Sequence, residues 1–106
     1  MSHASITVNG TWIRRIHDNW ANTSGYRTDI PQSVLESPIV KRVAFILDDH
    51  RAILVPIEAM RSVLIGARKR SNGCVGPYNV DPHHSTVNGM QVPMDIRVPK
   101  VSDVAA

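Results

Sequence analysis

Two short apolar runs, separated by four polar residues, constrain this chain more than any other feature. They are Val43-Ala44-Phe45-Ile46-Leu47 and Ala52-Ile53-Leu54-Val55, with Asp48-Asp49-His50-Arg51 between them. A strand with one face in water alternates apolar and polar residues; a strand covered on both faces has no need to. Both runs have strand length and lack the alternation, so both are expected to need cover on two sides. Asp tolerates turn backbone angles, and a hairpin is the economical reading of the pair.

Pro56 closes the second run and suits the first turn of a helix, where its missing N–H would be unpaired anyway. Ile57, Met60, Leu64 and Ala67 recur three and four residues apart, which predicts one apolar helix face. Glu58 near the start of that helix, and Arg68, Lys69 and Arg70 near its end, both suit the helix dipole. Gly66 is its weak point, and the helix is expected to thin or stop there.

Upstream, Ile6-Thr7-Val8 reads as a short strand closed by Asn9-Gly10. Thr11 to Ile16 then fits either a returning strand or a helix capped by Thr11. Trp12, Ile13, Ile16 and Trp20 match the helical spacing over the longer window, so the sequence predicts a helix from Trp12 to Ala21. Asn22 to Gly25 ends it, and Pro31 opens a helical turn over Gln32 to Glu36.

Downstream, Ser71 to His84 is rich in breakers (Asn72-Gly73, Gly76-Pro77, Asp81-Pro82) and reads as a long loop with a brief strand at Tyr78-Asn79-Val80. Ser85 to Val92, turning at Asn88-Gly89, reads as a hairpin. Met94, Ile96 and Val98 alternate with Asp95 and Arg97 as on a half-exposed strand, and Pro93 and Pro99 push it towards a sheet edge. Thr-Val-Asn-Gly occurs at 7–10 and again at 86–89; with unrelated flanks, the repeat reads as coincidence. Residues 1–5 and 100–106 read as loose termini.

A chain of 106 residues has room for one domain and one core, and 42% hydrophobic content fits a globular fold. The expected class is α+β: an antiparallel sheet built on a central hairpin, with the helix from Ile57 on one face. The Trp12–Ala21 helix or a second subunit would cover the other.

Net charge is +3 and there is one cysteine, so neither a disulfide framework nor a zinc ribbon is expected. No leader and no run of membrane-spanning length is present, so the expected location is cytoplasmic, with no membrane partner.

No catalytic signature is present, and neither a cofactor nor a metal is expected. Asp81, His83 and His84 crowd one segment with groups that suit a divalent ion, but a site needs three or four converging ligands. Asp48, Asp49, His50 or His17 would have to complete it. The acid-x-lysine spacing of metal-dependent nucleases is missing, since Glu58 is followed by Ala59 and Met60. Cys74 near His83 or His84 offers a thiol and a base, yet a reactive thiol needs an electropositive, partly exposed setting.

Arg61, Arg68, Lys69 and Arg70 form the densest basic cluster, with Arg14-Arg15 and Lys41-Arg42 as further pairs. Together they would make a phosphate-binding patch if they converged. Trp12, Trp20 and Tyr26 are available for base stacking, although packing is the commoner use of Trp at such spacing.

The function expected from these residues is a non-enzymatic ligand- or protein-binding module, acting as a homodimer because the doubly apolar strands need two covers. Its site would lie near residues 71–84 and draw on Tyr78, Asp81, His83, His84, Trp12 and Trp20. A nucleic-acid-binding accessory protein using Arg61, Arg68, Lys69 and Arg70 is the alternative. A small metal-dependent hydrolase or nuclease is the third reading.

Overall fold

The computed structural model describes residues 5–16, 26–46 and 52–97. In chain order its elements are β1 (Ser5–Val8), β2 (Thr11–Arg15), β3 (Tyr26–Pro31), α1 (Gln32–Glu36), β4 (Arg42–Ile46), β5 (Ala52–Pro56) and α2 (Ile57–Ser62). They are followed by β6 (Arg68–Lys69), β7 (Cys74–Asp81), β8 (Thr86–Val87), β9 (Met90–Gln91) and β10 (Asp95–Arg97).

The α+β class stands, but the strands form two sheets where the sequence suggests one. The first runs β1-β2-β4-β5-β10 and the second β3-β7-β8-β9, with β6 also pairing β7. Pairing is antiparallel except between β2 and β4, which run parallel. β4 and β5 lie antiparallel, with Phe45 opposite Ile53 and Val43 opposite Val55. The connection over 47–51 lies outside the described residues.

Partnered residues in neighbouring strands share a face. Trp12, Val43, Phe45, Ile53 and Val55 therefore point to one side of the first sheet. There they join Ile30, Tyr78, Val80 and Val87 of the second sheet in one core cluster. Trp12 and Phe45 meet edge to face, with ring centroids 6.5 Å apart, an arrangement the ring quadrupoles favour. On the other side of the same strands, Ala44, Ala52 and Leu54 form a second buried cluster against Ile13 and Ile46. The missing alternation in the sequence thus corresponds to burial on both faces.

The helix expected over Trp12–Ala21 is not formed at its start: residues 11–15 are β2, and 17–21 lie outside the described residues. The reason is Asn9-Gly10, with φ of +50° and +78°. Two successive positive φ values make the hairpin turn whose twist matches antiparallel strands, and Val8 faces Thr11 across it. Arg14 hid the strand, because a charge occupies an inward position between Trp12 and Ile16. That charge is accommodated: Arg14 Nη1 donates to the Asp29 carbonyl at 2.7 Å, and its guanidinium lies 4.8 Å from the Trp12 ring centroid. Burial pulls the Arg14 pKa down, and the charges of Cys74 and Asp29 act in the opposite direction.

Both copies of the repeated tetrapeptide end in a hairpin turn. Asn88 and Gly89 have φ of +52° and +81°, and Val87 faces Met90 as Val8 faces Thr11. Asn88 carries an added duty. Its Nδ2 donates to the carbonyls of Ile65 and Pro77, and its Oδ1 accepts from the Asn79 N–H at 2.8 Å.

The loop expected over 71–84 is largely strand, since β7 takes eight of its residues. The breakers Gly76-Pro77 are absorbed by a bulge. The register with β3 passes from Thr28↔Tyr78 to Ile30↔Val75, so Asp29 alone faces both. The helix after Pro56 also ends sooner than its spacing predicts. α2 stops at Ser62, and its buried side is Ile57 and Met60, continued by Val63. The β-branched Val63 and Ile65 and the positive φ of Gly66 do not favour a further turn. Leu64 consequently points outward, 80% exposed, and Arg68-Lys69 belongs to β6 rather than to a helix end.

Candidate functional site

The end of α1, the segment after α2, and β7 leave a groove of about 750 Å³ between them. Each side arrives by local necessity. α1 is a single helical stretch begun by Pro31 and ended as Ser37 turns extended, and it brings Leu35 and Glu36 to one wall. The early stop of α2 swings Val63, Leu64 and Ala67 along the opposite wall. β6 and β7 form the remaining side, with Lys69, Val75 and Tyr78.

Arg61 braces the mouth. Its Nε donates to the Leu35 carbonyl at 2.6 Å and its Nη2 to the Ser37 carbonyl at 3.0 Å, so α2 holds the C-terminal end of α1. A guanidinium has five N–H donors, and the Nη1 pair is not used in these bonds. Glu36 Oε1 accepts from Gln32 Nε2 at 2.6 Å. The Tyr78 ring is packed in the core, only 2% exposed. Its hydroxyl has no hydrogen-bond partner among the described residues. Burial pushes the Tyr78 phenol above its usual pKa, so at neutral pH it is an uncharged donor and acceptor.

A second cleft, of about 440 Å³, lies where β5 meets the segment before β10. Its charged lining is Lys41, Arg42 and Asp95, the last two already engaged. The larger groove is the better candidate because it is larger and because Lys69, the Tyr78 hydroxyl and Arg61 Nη1 have no hydrogen-bond partner among the described residues.

The remaining residues singled out in the sequence are dispersed. Asp81, His83 and His84 form the turn after β7, away from the groove lining. Asp81 Oδ1 accepts from the backbone N–H of His83 and of His84, and Asp81 Oδ2 lies 2.7 Å from His84 Nδ1. That is a turn held by its own carboxylate. Among the described residues no three His, Cys, Asp or Glu side chains are grouped to hold a metal ion. His17, Asp48, Asp49 and His50 lie outside the described residues, as does Trp20. Cys74 begins β7 and the histidines follow its end; at ~3.3 Å per strand residue they are roughly 20 Å apart. Trp12 is core, 3% exposed.

The basic cluster divides. Arg61 and Lys69 line the groove, Arg70 Nη1 lies 3.7 Å from Asp29 Oδ2, and Arg68 pairs in register with Gly76. The sequence reading missed Leu35, Val63 and Val75 as lining residues. Val63 was legible as the third step of a three-residue spacing from Ile57 and Met60. The other two are brought in by sheet pairing and by α1, for which short-range patterns give no signal.

No known protein family matches the chain, and no curated protein or solved structure is similar enough to it to count as a match. No helix among the described residues is long and apolar enough to cross a membrane.

Proposed function

We propose that this protein is a small non-enzymatic binding module whose ligand lies in the groove between α1, the segment after α2, and β7. The observation that supports it most is Tyr78, a buried ring whose hydroxyl is unspent on the protein and which lines a groove of ligand size. The lining is mostly apolar with a few charged groups, Glu36, Arg61 and Lys69, among the described residues, the composition of a ligand groove.

The test is a titration with a neutral apolar probe, indole, followed by amide resonances. Shifts should concentrate at Leu35, Val63, Val75 and Tyr78, and Ala67→Trp, which fills the groove, should abolish them. Shifts elsewhere, or undiminished binding in Ala67→Trp, would remove the groove as the site.

A second copy of the chain as partner is favoured by β1. That strand ends its sheet, carries neither charge nor proline, and leaves Ile6 55% exposed. The opposite edge, β10, follows Pro93 and carries Asp95. No strand among the described residues pairs with its outer edge; an open edge favours pairing, and two antiparallel β1 strands would join two sheets across a twofold axis. Light scattering should then give twice the chain mass, reverting to the single mass in Ile6→Lys. A constant single mass in the unaltered protein rejects the pairing.

A further inference from the structure

We infer that the groove takes a small molecule with one carboxylate on an apolar body, such as an alkyl carboxylate. This rests on the groove being the binding site, and adds the chemistry of its occupant.

The charge argument comes first. Arg61 and Lys69 both line the groove, and neither has a carboxylate partner within it; Glu36 is tied to Gln32. Arg61 is fixed in place by the Leu35 and Ser37 carbonyls. These bonds hold the guanidinium in position before any ligand arrives and leave Nη1 for an incoming acceptor. An N–H of a charged guanidinium makes a short, charge-assisted bond to a carboxylate, and holding the group in advance reduces the rotamer entropy lost on binding.

The apolar argument is independent of it. Leu64 is 80% exposed, beside the half-buried Leu35 and Val75. A hydrocarbon body laid along them would remove that apolar surface from water. Tyr78 adds a neutral hydroxyl able to bond a carboxylate oxygen. A cation would meet two positive charges and one acid already engaged. A neutral molecule would leave the Arg61 and Lys69 charges uncompensated.

The experiment compares three probes of equal chain length, decanoate, decanol and decylammonium, by calorimetric titration of the full chain. Decanoate should bind at least about tenfold more tightly than decanol, the size of one charge-assisted hydrogen bond, and decylammonium more weakly than either. Lys69→Gln should weaken decanoate about threefold while leaving decanol unchanged, and Arg61→Lys should weaken it more, since an ammonium cannot hold both carbonyls and also reach the ligand. Arg61 also braces α1, so Lys69→Gln, on an exposed strand, keeps the test decisive if Arg61→Lys unfolds. Equal affinity for decanoate and decanol, both lost in Ala67→Trp, overturns the carboxylate and leaves the groove as a binding site. Absence of binding by all three probes overturns both readings.

Discussion

Phe45→Ala is expected to lower the free energy of unfolding by about 3–5 kcal/mol, the range for removing a fully buried aromatic side chain. Phe45 has no exposed surface, faces Ile53 in register from β4, and meets Trp12 edge to face. It lies where the two sheets and α2 share one cluster, so there is little freedom for neighbours to collapse into the space. Domains of this size have about 5–15 kcal/mol of stability in total, and the variant should unfold at a much lower urea concentration with an unchanged slope. Ile39→Ala is the matching control: Ile39 is also apolar but 69% exposed, and its loss should stay within about 0.5 kcal/mol. Comparable effects at the two positions would mean that β4 is not at the centre of the core.

Gly76→Ala should come next in size, at about 3 kcal/mol, the upper end for forcing atoms into a packed site. A β-carbon at Gly76 would collide with Asp29 Oδ1, and would lie 2.9 Å from Asp29 Cγ and 3.2 Å from its Cα. The first two atoms belong to a side chain that can move. The third is the backbone of β3 at the bulge, and moving it separates the longest strand from its partner. Asp29→Ala alone should cost little, because it loses a partly exposed ion pair to Arg70 and keeps the carbonyl that holds Arg14. Combined with Gly76→Ala it should recover about 1 kcal/mol or more, a coupling expected only of groups in contact. Thermal unfolding of the four proteins gives the cycle. A strictly additive result would show that the two residues do not touch.

The parts of this fold that the sequence disclosed are those fixed by short-range chemistry. The doubly apolar strands, the α1 turn after Pro31, the hairpin at Asn88-Gly89 and the edge position of β10 each follow from residues within a few positions of one another. Where the reading failed, distant partners mostly joined with local chemistry. Residues 12–15 are turned back as a strand by Asn9-Gly10 and held there by β4 alongside. Arg14 spoiled the alternation there because Asp29, fifteen residues on, supplies its acceptor. Residues 74–81 became strand despite Gly76 and Pro77 because β3 accommodates the bulge and Asn88 bonds the Pro77 carbonyl.

The candidate site was less legible for the same reason. Tyr78 stands out in the sequence as a ligand contact, and Arg61 and Lys69 as part of a phosphate-binding cluster; only the tertiary packing of α2, β6 and β7 brings the three to one groove.

The path of the chain between its two sheets carries one more implication. β1 and β2 belong to the first sheet, β3 to the second, β4 and β5 to the first again, β6 to β9 to the second, and β10 returns to the first. Wherever the chain is cut between these blocks, at least one sheet is divided between the pieces. A cut after β3 or after β5 divides both sheets, so neither piece then holds a finished layer; a cut after β2 or after β9 divides the first sheet alone.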